Sequence, residues 1–191
     1  MPQTLPPLPA APVPTPAGRA AHATFQALLA ALSRPGSVHA LPDGNAWQRL
    51  SDALLDMEVS AYTPDAALRG VLKATGTVLR PADEAQYLFF PTWEVGTLED
   101  IRRARVGSSV QPHQSATLLL PARFGTGQML EFSGPGVPGQ LRVPLDAPHL
   151  PELLDVRAEQ RFPLGWDAFF VETTSATVMG LPRTTQVRRV N

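Results

Sequence analysis

The sequence predicts an α/β protein, a mixed sheet with helices on its faces in an α/β/α layering. Three observations carry that expectation. Apolar residues at helical spacing alternate with short strand-like runs through the first half of the chain. Toward the C-terminus the apolar runs come in pairs joined by turn residues, as antiparallel strands do. The chain has 191 residues, 43% of them hydrophobic, enough to bury a core on both faces of one sheet.

Residues 1–17 contain seven prolines among small residues, a composition that sustains neither helix nor ladder. This stretch is expected to be a flexible Pro-rich tail, with a single domain over residues 18–191. From Gly18 to Ser33 the residues Phe25, Leu28, Leu29 and Leu32 fall at i, i+3, i+4 and i+7, one face of a helix stopped by Ser33-Arg34-Pro35-Gly36. Val38–Leu41 reads as a short strand. Trp47, Leu50 and Leu54 repeat the helical spacing before an extended segment at 58–63. Asp65–Thr75 is expected to be a third helix, Ala85–Pro91 a buried strand and Thr97–Arg105 a short polar helix. Ser115–Ala122 and Gln128–Ser133 flank Arg123-Phe124-Gly125-Thr126-Gly127, the pattern of a hairpin. Leu150–Gln160 is helical again, and Ala168–Thr174 with Ala176–Leu181 form a last strand pair.

Composition excludes several chemistries. The net charge is −1, so no overall field draws nucleic acid or an anionic membrane surface. The chain has no cysteine, which rules out thiolate catalysis and ligation of zinc or iron–sulfur clusters by cysteines of this chain. Lys73 is the only lysine, so a Schiff base would have to form there, and its place late in an amphipathic helix suits a solvated amine. No cofactor is expected. No apolar run reaches the roughly 20 residues that span a bilayer, and the N-terminus does not read as a signal peptide; a cytoplasmic location follows as the expectation. Charged residues amount to only 17%, which points to surface covered by partners.

The four histidines, His22, His39, His113 and His149, show no metal-binding spacing. Asp56 and Glu58 could act as paired carboxylates, but a helix-end turn with solvated acids is the favoured account. The glycines of 124–127 and of Ser133-Gly134-Pro135-Gly136 match no nucleotide-binding pattern and read as turns. The C-terminal segments are more pointed. Phe162-Pro163-Leu164-Gly165-Trp166-Asp167 carries an acid into a buried strand, and Leu181-Pro182-Arg183-Thr184-Thr185 follows another strand. Arg183, Thr184 and Thr185 could hold a phosphate-like anion. Alternatively, Arg183 pairs with Asp167 and locks the C-terminus, and the residues alone favour that lock.

Four segments together resemble one family. Leu32-Ser33-Arg34-Pro35-Gly36 looks like its Met-Ser-x-Pro-Gly, and Ser133-Gly134-Pro135-Gly136-Val137 like its Gly-Pro-Gly-Ile region. Phe162–Asp167 looks like its Phe-Pro-x-Gly-aliphatic-Asp, with Trp166 at the aliphatic place, and Leu181–Val187 like its C-terminal signature. The family is PhnH, the H subunit of bacterial carbon–phosphorus lyase, and the resemblance runs from Ala17 to Val190. It implies a fold similar to the large domain of type I pyridoxal-phosphate transferases, without the cofactor. It implies a supporting role in a multi-subunit synthase that joins ATP to an alkylphosphonate with loss of adenine, giving α-D-ribose 1-alkylphosphonate 5-triphosphate. That step involves the G, H, I and L proteins. The expected partners are the lyase G, I and J subunits, with a homodimer when isolated. No catalytic residue carries over. A small-anion binding module and a stand-alone pyridoxal-phosphate enzyme using Lys73 are the alternatives.

Overall fold

The computed structural model describes residues 15–190. The Pro-rich segment therefore lies outside the described residues except for its last three positions, and these belong to the first helix and its cap. Helix α1 (Pro16–Ser33) starts two residues earlier than expected, because Pro16 occupies its first turn and the Thr15 hydroxyl accepts from Gly18 N at 3.0 Å. The same device starts α2 (Ala46–Leu54), where Asn45 accepts from Gln48 N at 3.1 Å, and α3 (Ala66–Ala74), where Asp65 accepts from Leu68 N at 2.6 Å. Helices α4 (Thr97–Arg103) and α5 (Leu150–Ala158) complete the set.

The described residues contain ten strands, in chain order β1 (Val38–Ala40), β2 (Ser60–Tyr62), β3 (Val78–Leu79), β4 (Tyr87–Phe89), β5 (Thr117–Pro121), β6 (Arg123–Ser133), β7 (Leu141–Asp146), β8 (Asp167–Glu172), β9 (Thr177–Leu181) and β10 (Gln186–Arg189). Seven form one mixed sheet in the order β1-β9-β8-β5-β4-β2-β3. Strands β3, β2, β4, β5 and β8 run parallel, while β9 is antiparallel to both β8 and β1. Three others form a small antiparallel sheet, β10-β6-β7.

Side-chain alternation divides the core into two layers, as the two-residue period of a strand requires. Phe89, Leu119, Phe169 and Val171 pack under α1, α2 and α3 with Leu28, Trp47, Leu50 and Leu72. Leu88, Leu118, Leu120, Ala168 and Phe170 face the opposite layer, where they meet Leu130 and Phe132 of β6, Leu145 of β7, and Leu153 of α5. The architecture is thus α/β as expected, with one difference. The second layer is not helices alone; the small sheet covers that face together with α4 and α5.

That difference overturns the hairpin expected around residues 123–127. β5 joins the large sheet between β4 and β8, while β6 pairs with β7 and β10 in the small one. Gly125 and Gly127 lie inside β6, at a register irregularity between Phe124 and Gln128, not at a strand-to-strand turn. The apolar face expected for α1 is also rotated. Its buried residues are Thr24, Ala27, Leu28 and Ala31, whereas Phe25 and Leu29 are about half exposed at 49% and 51%. The cause is close backbone contact: a side chain on Gly180 of β9 would lie 2.5 Å from Ala31 O, so only small residues fit between α1 and the sheet.

Candidate functional site

The four family-like segments lie far apart in sequence and meet in space. Gly136 has φ of +79° and sits so tightly against Ser33 O and the Pro35 ring that any Cβ would collide. This joins the end of α1 to the turn after β6. Ser133 pairs with Gln186 across the β6–β10 ladder, which joins that turn to the C-terminal segment. Arg183 and Asp167 then tie the C-terminal segment to the entry of β8.

The Arg183–Asp167 contact is a forked ion pair. Arg183 Nη2 donates to Asp167 Oδ2 at 2.7 Å and Nε donates to Oδ1 at 3.2 Å. Arg183 N also donates to Oδ1 at 2.7 Å, and Nη1 donates to Pro112 O at 2.8 Å. The side chains are 16% and 24% exposed, so the pair is shielded from solvent. Such geometry engages both carboxylate oxygens and fixes the turn at 182–185, itself closed by Thr185 N donating to Pro182 O at 3.0 Å. Thr184 and Thr185 follow on that turn; Thr185 is 4% exposed, and its hydroxyl has no hydrogen-bond partner among the described residues.

Beside this pair is a residue that the sequence did not single out. Arg157, in the last turn of α5, crosses beneath the 182–185 turn and donates through Nη2 to Thr185 O at 3.1 Å and to Pro182 O at 2.5 Å, and through Nη1 to Trp166 O at 3.4 Å. Its guanidinium lies 5.7 Å from the centre of the fully buried Trp166 ring. Trp166 thus adds a π face to the core. Burial lowers the Arg157 pKa to about 10, with Asp167 opposing the shift and Arg183 adding to it. The group remains a cation at neutral pH. An Arg late in a helix ordinarily reaches solvent, so nothing in the local pattern marked this one.

Arg157 and Arg183 both line a cavity of about 290 Å³ that also takes in Gln160, Gly165, Thr185 and Val187. Its chemistry is that of a donor-rich, cationic cleft.

Other candidates are placed elsewhere. Asp56 accepts from Glu58 N at 2.8 Å in an exposed turn. His22, His113 and His149 are exposed, with His149 stacked on Trp93 at 5.3 Å, while His39 shares a 2.7 Å hydrogen bond with Ser37. Among the described residues no group of three or more His, Asp or Glu is arranged to hold a metal ion. Lys73 is exposed on α3. At the carboxyl end of β2, Tyr62 donates to Asp100 Oδ2 at 2.6 Å and Arg103 donates to Asp100 Oδ1 at 2.7 Å. Burial, reinforced by the bond to Asp100, raises the Tyr62 pKa to about 12. No helix among the described residues is long and apolar enough to cross a membrane.

Fold and site together define a mixed α/β protein whose signature segments converge on a locked C-terminal turn beside a cationic cleft. Residues 15–188 match the family described as bacterial phosphonate metabolism protein (PhnH). The chain belongs to that family, and its role lies in bacterial phosphonate metabolism. Among curated proteins no match is found.

Proposed function

We propose that this chain is the H subunit of the carbon–phosphorus lyase assembly and supports formation of α-D-ribose 1-alkylphosphonate 5-triphosphate from ATP and an alkylphosphonate. The observation that carries the reading is the family match across 15–188 of the 191 residues. Its partners in this reading are the G, I and J subunits. The chain works in the cytoplasm and forms a homodimer when isolated.

Its contribution is to binding and assembly rather than to bond-making. Half-exposed Phe25 and Leu29 on α1, together with the low charged fraction, support docking through apolar surface. The family's implied likeness to the large domain of pyridoxal-phosphate transferases is supported by the largely parallel central sheet flanked by helices. Independence from that cofactor is supported by the exposed position on α3 of Lys73, the only lysine.

Reconstitution tests the reading. The chain mixed with the G, I and L proteins, ATP and methylphosphonate should yield the ribosyl triphosphate product, and leaving this chain out should abolish or strongly reduce it. An unchanged yield without the chain would contradict the proposal. A second reading, small-anion binding, is favoured by the cleft beside Arg157.

A further inference from the structure

We propose that the cleft between the end of α5 and the 182–187 segment binds a single small oxyanion, held by the guanidinium of Arg157 and the hydroxyl of Thr185. The inference places the site for the anion-binding reading and rests on that reading alone.

Charge is the first argument. Two guanidinium groups line the cleft, and the carboxylate next to them, Asp167, is taken on both oxygens by Arg183. Arg157 is left with main-chain carbonyls, those of Trp166, Pro182 and Thr185. Carbonyl dipoles solvate a buried cation but do not neutralise it, so the cluster retains one positive charge. The Nε–H and the second Nη1–H of Arg157 have no partner among the described residues, and an oxyanion accepts from such donors.

The orphan hydroxyl is the second, independent argument. Thr185 is 4% exposed and lines the cleft, yet its Oγ1 has no hydrogen-bond partner among the described residues. A buried hydroxyl is almost always paired, and an unpaired one calls for an explanation such as a ligand. An anion oxygen reached by both Arg157 and Thr185 would satisfy it. A cavity of about 290 Å³ admits a phosphate, phosphonate or carboxylate group with a small substituent.

Arg183 is excluded as the anchoring cation. Its fork is spent on Asp167, so the anion site expected on Arg183, Thr184 and Thr185 moves across the cleft to Arg157 and Thr185.

The test is calorimetric titration of the isolated protein with inorganic phosphate, methylphosphonate and acetate, on the wild type and on Thr185→Val. Valine keeps the shape and removes only the hydroxyl. The proposal expects at least one of the three anions to bind the wild type and to bind Thr185→Val about tenfold more weakly, a loss of about 1.4 kcal/mol. It also expects Thr185→Val to melt no lower than the wild type, because the hydroxyl has no partner to lose. Binding of acetate alone assigns the site to carboxylates, and binding of phosphate or methylphosphonate assigns it to phosphorus oxyanions. Equal affinity in Thr185→Val would overturn the site while leaving anion binding in place. No binding of any of the three to the wild type would overturn both. A marked fall in the melting temperature of Thr185→Val with unchanged affinity would make the hydroxyl a packing element and also overturn the proposal.

Discussion

Arg183 and Arg157 line the same cleft but differ in what they leave unsatisfied when removed. Arg183→Ala strands the Asp167 carboxylate in a shielded site, which is expected to destabilise the fold by on the order of 3–5 kcal/mol. Arg183→Lys keeps the charge and loses the fork, so it should fall between wild type and alanine. A chemical denaturation series on the three proteins measures this, and an Arg183→Ala as stable as wild type would remove the lock from the account. The pairing was legible in the sequence because an acid entering one strand and an Arg leaving the next are natural partners at a shared sheet end. Arg157 was not legible, because its burial depends on the 182–185 turn folding over it from 25 residues away in sequence. The tyrosines offer a pH test. Burial raises both Tyr62, to about 12, and Tyr87. Folded-state values above the unfolded one mean a stabilisation fully present below about pH 10 and lost as pH climbs toward 12. Ultraviolet titration should therefore show no tyrosinate inflection near pH 10 in the native protein, and should show one in denaturant.

At the scale of elements, helix positions were readable and strand partnership was not. Capping residues Asn45 and Asp65 stand just before α2 and α3 and announce them locally. Three strands carry no local signal: β3 has two residues, β7 holds Pro144 within it, and β10 (Gln186-Val187-Arg188-Arg189) has a single apolar residue. The misplaced hairpin has the same origin. Adjacent apolar runs ordinarily pair, but β5 is claimed on both sides by β4 and β8, which leaves β6 to start a second sheet. The rotation of α1 follows from Gly180, whose lack of a side chain brings the helix down onto β9. Gly180→Ala should overpack that contact and cost about 1–3 kcal/mol, measurable by thermal melting. Phe25→Ser on the outward face should change stability by less than about 0.5 kcal/mol. A large loss from Phe25→Ser would show that this side chain serves the core of the isolated chain and not an outer contact.

For the whole molecule, family segments that are individually modest become persuasive because they meet. α1, the turn after β6, the entry to β8 and the C-terminal turn form one connected line of contacts. Such convergence explains why their order and spacing carry identity while no single one does. The proline tract ahead of Thr15 has no apolar periodicity, so deleting residues 2–14 should leave the melting temperature within about 2 °C of the full chain. A larger drop would give that tract a packing role. The proposed subunit role is itself a statement about the molecule as a whole, since it sets the chain among partners. Co-expression with the lyase G and I subunits, followed by purification through a tag on this chain, tests that place most directly. The account predicts that G and I co-elute with the chain in fixed stoichiometry; elution of the chain alone, folded and free of both, would contradict it.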